Sequence, residues 1–187
     1  MVKTGAWISE AWELLKEDFW WHVLVALIFT ALNSTGVGFL LIGPLTCGYE
    51  YIIMQKLRNR PAPLNINDLS KGIEVWLEAF LASLVVGLFS SVGAFACGVG
   101  AIIVSALLVF VMPLVIDRRM GFWDAIVASW EKTKAHWFEF SLFWFLLMLL
   151  AGAIVLFTLG LGALVTLPLV QIVIVLAYRD NFGLMEK

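Results

Sequence analysis

The segment Ala79–Ile116, AFLASLVVGLFSSVGAFACGVGAIIVSALLVFVMPLVI, is 38 residues long and contains no Asp, Glu, Lys or Arg. Two further stretches share this property: Phe19–Tyr49 with 31 residues and Phe140–Tyr178 with 39. A helix needs about 20 apolar residues to cross a bilayer once. Ala79–Ile116 and Phe140–Tyr178 are each long enough for two crossings, so we expect an all-α integral membrane protein.

The overall composition agrees with a lipid environment. Hydrophobic residues make up 62% of the chain and charged residues 14%, whereas soluble domains contain about 25% charged residues. A soluble fold of this size could not bury so much apolar surface. The formal net charge of −2 predicts no nucleic-acid partner. Cys47 and Cys97 both lie in apolar context and are expected to be small buried side chains rather than a disulfide.

A Gly-x-Gly pair lies near the middle of each charge-free stretch and recurs every 62 residues. These turn glycines are Gly36, Gly38, Gly98, Gly100, Gly160 and Gly162. We expect each stretch to fold back at its glycines. The prediction is six transmembrane helices arranged as three like-oriented helical hairpins in a single membrane domain, residues 1–187. The internal repeats are about 8–60, 66–120 and 121–180, and Pro44, Pro113 and Pro168 are expected to kink the return arms.

The first hairpin is short, because Phe19–Asn33 provides only about fifteen residues. At about 1.5 Å per residue this is less than a hydrocarbon core of about 30 Å. A turn contributed by the preceding segment, or local thinning of the bilayer, would have to supply the difference.

All twelve basic and fourteen acidic residues lie outside the three stretches, and the glycine turns are neutral. Basic residues in short loops remain in the cytoplasm. Both termini are therefore predicted to be cytoplasmic. Tryptophans flank the charged segments and predict an aromatic belt on that side: Trp7, Trp12, Trp20, Trp21, Trp76, Trp123, Trp130 and Trp137.

A short amphipathic interfacial helix is predicted before each hairpin. In the first, Glu10, Glu13 and Glu17 lie opposite an apolar face formed by Ile8, Ala11, Trp12, Leu15 and Phe19. Asn65 or Asn67 is expected to cap the second. The pattern leaves open whether these helices lie flat or continue into the crossings.

Three polar residues are candidates for intramembrane function: Glu50, Thr46 and Gln171. Glu50 interrupts an apolar arm near its cytoplasmic end. It is expected to pair with a loop arginine of another unit, the alternatives being a proton or cation role and simple interfacial exposure. Gln171 is expected to hydrogen-bond across helices. Thr46, Ser105 and Gln171 lie at similar depth and could line a path, but they are too few to establish a pore.

No enzyme is expected, because the sequence contains no paired acid and base and no activated nucleophile. His22 and His136, the latter three residues before Glu139, are the only metal or haem candidates. Each histidine neighbours a tryptophan, which favours a place in the interfacial belt. The sequence therefore predicts no cofactor and no metal.

The segment Met112–Trp130, MPLVIDRRMGFWDAIVASW, and the run Gly43–Tyr49, GPLTCGY, carry a resemblance. They resemble uncharacterised prokaryotic multi-pass membrane proteins and are similar to the membrane domain fused to some glycerophosphodiester phosphodiesterases. The resemblance implies a bacterial or archaeal cytoplasmic (inner) membrane protein. The catalytic domain is not expected here, so that activity is not carried over.

Within this segment Asp117, Arg118 and Gly121 are interpreted as a structural junction, a ligand site being the alternative. Asp117 is expected to pair with a nearby arginine, and Gly121 to end one helix before Asp124 begins the next.

The function predicted from these features is that of a non-enzymatic accessory, scaffold or assembly subunit. Its expected partners are membrane lipids and other membrane protein subunits or further copies of itself. The alternatives are a transporter or channel for a small solute, ion or lipid, and a membrane-curving hairpin protein.

Overall fold

Long apolar runs give long helices. The computed structural model describes residues 2–36, 38–59, 64–95 and 99–185, and in these ranges the regular structure is helical. The elements in chain order are α1 (Thr4–Glu17), α2 (Phe19–Asn33), α3 (Gly38–Arg58), a 3₁₀ turn (Ile66–Ser70), α4 (Lys71–Glu74), α5 (Trp76–Phe95), α6 (Val99–Leu107), α7 (Val111–Arg118), α8 (Phe122–Lys134), α9 (Trp137–Phe157) and α10 (Ala163–Phe182).

Four segments of the described chain are long and apolar enough to cross a membrane: Trp76–Ala94, Val99–Arg118, Trp137–Phe157 and Ala163–Phe182. These are the second and third predicted hairpins. Neither arm of the first hairpin is both long and apolar enough to be counted among these segments. Phe19–Leu32 is a shorter apolar helix, and α3 carries Glu50, Lys56 and Arg58. Four crossings are thus supported by length and composition, and the six-crossing arrangement remains a prediction.

Gly36 and Gly160 lie where the chain turns between helices. Gly36 and Gly160 have φ angles of 62° and 94°, which glycine adopts without steric cost. Gly38 begins α3, and Gly162 precedes α10. Gly100 lies in α6 against Gly93 of α5, so closely that a Cβ on Gly93 would be 2.7 Å from the Gly100 carbonyl carbon. Gly98, Cys97 and Arg60 lie outside the described residues.

Three helices form the buried centre of the protein: α3, α7 and α10. Met54, Leu114 and Leu176 are among its fully buried side chains. By contrast, α5 and α9 are mostly exposed along their lengths. Each segment before a hairpin packs on a return arm: α1 contacts α10, the 3₁₀ turn and α4 contact α3, and α8 contacts α6 and α7.

Separate helical segments precede the second and third hairpins. The second pre-hairpin segment is not one amphipathic helix but a 3₁₀ turn and a four-residue helix, which Asn65 caps by accepting a hydrogen bond from the Asn67 amide at 3.1 Å. On α1 the predicted face is rotated: Trp7, Ala11, Leu14 and Leu15 are buried, whereas Trp12 is exposed. Trp7 is thus a core residue rather than a belt residue, because its indole packs on Phe143 and its Nε1 donates to Asp180.

The return arm of the second unit is broken. It consists of α6 and α7, separated by a turn at residues 108–110. Pro113 lies in the first turn of α7, where its missing N–H costs little. A proline in this place favours the start of a new helix over the kinked continuous helix that was predicted.

Candidate functional site

Asp117 is the centre of the polar contacts at the charged end of the protein. Its side chain is completely buried at the end of α7. One carboxylate oxygen pairs with Arg58 Nη2, from the last residue of α3. The other accepts hydrogen bonds from the Tyr178 hydroxyl at 2.9 Å and the Met185 amide at 3.2 Å. The carboxylate therefore joins α3, α7 and α10.

Two more arginines make contacts between distant parts of the chain. Arg118 Nη2 donates to the Phe182 carbonyl at 2.7 Å. Arg179 binds both carboxylate oxygens of Glu10, at 2.7 and 3.0 Å. A bidentate arginine–carboxylate pair fixes the relative orientation of the two side chains in addition to pairing their charges. We refer to the contacts Arg58–Asp117, Arg118–Phe182 and Arg179–Glu10 as the three arginine bridges.

The junction between α7 and α8 is held by two glutamates near the start of α5. Glu74 accepts a hydrogen bond from Arg119 at 2.8 Å. Hydrogen bonds from Lys71 and Arg119 hold the pKa of Glu74 below its usual value. Glu78 accepts from the Phe122 amide at 2.6 Å, which satisfies one of the free N–H groups at the start of α8. Arg119, with φ 52°, rather than Gly121, adopts the left-handed conformation that ends α7.

The break between α6 and α7 is satisfied by two hydroxyls of α8. Ser129 and Thr133 donate to the Leu107 carbonyl at 2.8 and 2.9 Å. The Phe110 amide lies 3.3 Å from the Ser129 hydroxyl, to which it donates. Both hydroxyl side chains are fully buried. A broken helix in a membrane needs such partners, because lipid offers none.

A family model described as the membrane domain of glycerophosphoryl diester phosphodiesterase matches residues 79–181. This is more than half of the 187 residues. The chain belongs to this family. It is a membrane protein, as the four apolar segments also indicate. No curated protein and no solved structure matches it.

The family match includes the central carboxylate of the charged end and both hydroxyls that support the helix break. Asp117, Ser129 and Thr133 all lie within it. The resemblance predicted from Met112–Trp130 is therefore confirmed, and this segment contains the α7–α8 junction and the hydroxyl that supports the break.

The intramembrane polar candidates do not converge. Glu50 is buried, and within the described chain its Oε2 has no hydrogen-bond partner. No described arginine pairs with Glu50, whereas the pairing expected for Asp117 is present, with Arg58. Thr46 donates to the Ile42 carbonyl of its own helix at 2.7 Å. Gln171 lines a cavity of about 30 Å³ beside Tyr49, and its Oε1 makes no hydrogen bond to any described residue, contrary to the predicted cross-helix bond.

The two histidines occupy different surroundings. His22 is buried, with Nδ1 2.6 Å from the Tyr49 hydroxyl. His136 is exposed, with Nδ1 3.5 Å from Glu139. Among the described residues no group of three His, Cys, Asp or Glu side chains could hold a metal ion. The arrangement thus offers ion pairs and hydrogen bonds that fix helices relative to one another.

Sequence reasoning missed the support of the helix break. The available signal was the spacing of Ser129 and Thr133, four residues apart on a helix whose neighbouring positions are charged. Two hydroxyls one turn apart on one helix face can reach the same carbonyl of a neighbouring helix.

Proposed function

We propose that this chain is a non-enzymatic membrane scaffold or assembly subunit, which binds other membrane proteins through the outer face of α9. The observation that carries the proposal is the contrast between that face and the rest of the protein. At the charged end, the carboxylates of Glu10, Glu78 and Asp117 are engaged within the chain by the arginine bridges and by the Phe122 amide. The large side chains on the outer face of α9 are free.

The outer face of α9 is both apolar and rich in large side chains. Its exposed members are Phe138, Leu142, Phe145, Leu146, Leu149 and Leu150. Protein interfaces are enriched in aromatic side chains at their centres, and helix association in lipid depends on close van der Waals packing. A helix that is anchored on one side and apolar on the other is suited to packing against a partner's helix.

The three arginine bridges also support the proposed threefold repeat. Arg58 of the first unit reaches the second, Arg118 of the second reaches the third, and Arg179 of the third returns to Glu10 of the first. The packing of α1 on α10 closes the same cycle. Like-oriented hairpins would place all these contacts on one side, which the basic loops assign to the cytoplasm of a bacterium or archaeon.

A transporter is less well supported. Transport needs polar groups from different units around a shared path. Thr46 is bonded to its own helix, and the cavity beside Gln171, about 30 Å³, has room for about one water molecule. Neither Thr46 nor Glu50 lines that cavity.

The proposal is tested by photo-crosslinking in native membranes. A photo-reactive amino acid at exposed Leu146 should give a discrete protein adduct, identified by mass spectrometry, and the same partner should co-purify in mild detergent. The matched control is the neighbouring Leu147, which is buried and should give no intermolecular adduct. A chain that purifies alone and monodisperse, with no protein adduct from Leu146, would overturn the proposal. An adduct of twice the chain's mass would identify the partner as a second copy.

A further inference from the structure

A groove of about 630 Å³ opens between α5, α6 and α8. Its walls are apolar: Phe89 and Val92 from α5, Val104 from α6, Leu108 from the turn after α6, and Ile126 and Val127 from α8. This volume is within the range of about 300–1,000 Å³ that is typical of small-molecule sites. The groove is distinct from the three arginine bridges and from the outer face of α9.

The edge of the groove formed by α8 is polar. Trp130, Glu131 and Lys134 line it there. Although Glu131 and Lys134 are three positions apart on one helix, neither side chain forms an ion pair or hydrogen bond with any described residue. Their counterparts on α1, Glu13 and Lys16, have the same spacing and are paired at 2.8 Å. The edge thus carries one free negative and one free positive charge beside an exposed indole.

We propose that the groove binds a single phospholipid with a zwitterionic, ethanolamine-type headgroup. The acyl chain would lie between α5 and α6, because α5 and the α6–α7 arm are each apolar and long enough to cross a membrane, which would place the groove against hydrocarbon. The phosphate would accept from Lys134, and the ammonium group would donate to Glu131. Trp130 would mark the headgroup level.

The opposite charges of Glu131 and Lys134 favour a zwitterionic headgroup over an anionic one. A purely anionic lipid would place its negative charge beside Glu131 as well as Lys134, and the repulsion would offset the attraction. A headgroup with both charges is complementary to the two free side chains. A protein segment would fill the apolar part equally well, but it does not by itself supply adjacent opposite charges at the groove edge.

The test is native mass spectrometry of the full chain, released from nanodiscs that contain phosphatidylethanolamine and phosphatidylglycerol in equal amounts. One phosphatidylethanolamine should remain bound to each chain. Val92→Trp, at an exposed groove position, should lower its retention about tenfold by occupying the chain site. Leu88→Trp, also exposed on α5 but outside the groove lining, is the matched control and should retain the lipid.

The headgroup assignment has its own variants. Glu131→Gln should abolish the preference for phosphatidylethanolamine, and Lys134→Gln should weaken retention of both lipids. The control Glu13→Gln with Lys16→Gln, at the same spacing on α1, should change neither. If the wild type and Val92→Trp retained phosphatidylethanolamine equally, the groove would not be the lipid site. If the wild type formed a dimer that Val92→Trp abolished, the occupant of the groove would be a second copy of the chain rather than a lipid. A preference of the wild type for phosphatidylglycerol would overturn the headgroup assignment. Because these measurements use the purified chain without a partner, they do not test the proposal that α9 binds another membrane protein.

Discussion

Arg58 and Asp117 form an ion pair inside the protein, although 59 positions separate them in the chain. Arg58 is the last residue of α3, and Asp117 lies next to the end of α7. Tyr178 of α10 donates to the same carboxylate. The three central helices are therefore fixed to each other at one end by a single buried acidic side chain, around which the more peripheral helices are arranged.

Removing the charge of Asp117 should destabilise the protein. Asp117→Asn leaves the mostly buried guanidinium of Arg58 without its counter-ion, and breaking a buried pair in this way costs about 3–5 kcal/mol. The free energy of unfolding can be followed by circular dichroism as sodium dodecyl sulfate is added to mild-detergent micelles. Glu13→Gln, in an exposed pair with Lys16, is the control and should change stability by less than about 1 kcal/mol. Equal behaviour of the two variants would rule out a structural role for the buried pair.

The hydroxyls of α8 should be needed to support the break between α6 and α7. Ser129→Ala removes a donor to the Leu107 carbonyl and the acceptor for the Phe110 amide. Leaving such a buried group unsatisfied costs about 1–3 kcal/mol, and Thr133→Val should add a further loss through the same carbonyl. Ser141→Ala is the comparison, because among the described residues that hydroxyl bonds only to a carbonyl of its own helix. The same unfolding assay should rank Ser129→Ala as clearly more destabilising, and a reversed order would contradict this role.

Close backbone packing between α4 and α3 should make Gly72 intolerant of substitution. A Cβ at Gly72 would lie 1.9 Å from the Pro44 carbonyl oxygen and 2.6 Å from the Gly48 amide nitrogen. Since backbone atoms cannot easily move aside, Gly72→Ala should cost about 3 kcal/mol or more. Gly87→Ala in α5 meets nothing within 4 Å and should stabilise the helix by about 0.5–1 kcal/mol. Thermal unfolding in detergent distinguishes the two, and a tolerated Gly72→Ala would show that α4 does not pack this tightly.

The sequence predicted the membrane character well because hydropathy is a local property. The charge-free stretches contain most of α5, all of α6, and most of α9 and α10, and the resemblance seen in Met112–Trp130 is the family to which the chain belongs. Gly36 and Gly160 lie at the expected turns, with the positive φ angles that only glycine adopts readily. Asn65 was likewise recognisable as a cap from its position alone.

The contacts between helices could not be predicted in the same way. Asp117 was expected to pair with a nearby arginine, but nothing local to Asp117 shows that the partner is Arg58, 59 positions earlier. The register between α3 and α7 decides it. The same holds for Trp7, which looked like an interfacial residue but packs on Phe143 because α1 lies against α10. The break at residues 108–110 was hidden because its hydroxyl partners come from α8, about twenty residues later.

We expect the chain to form three hairpins that enter and leave the membrane on one side. Single cysteines can test it directly in whole cells, in a background with Cys47 and Cys97 replaced by serine. Cysteines at Thr35 and Thr158, exposed at the two described turns, should react with a membrane-impermeant maleimide added outside. Cysteines at Lys16 and Asn59, exposed at the charged end, should react only after permeabilisation. Labelling of Asn59 from outside, or of Thr158 only from inside, would contradict the three-hairpin account.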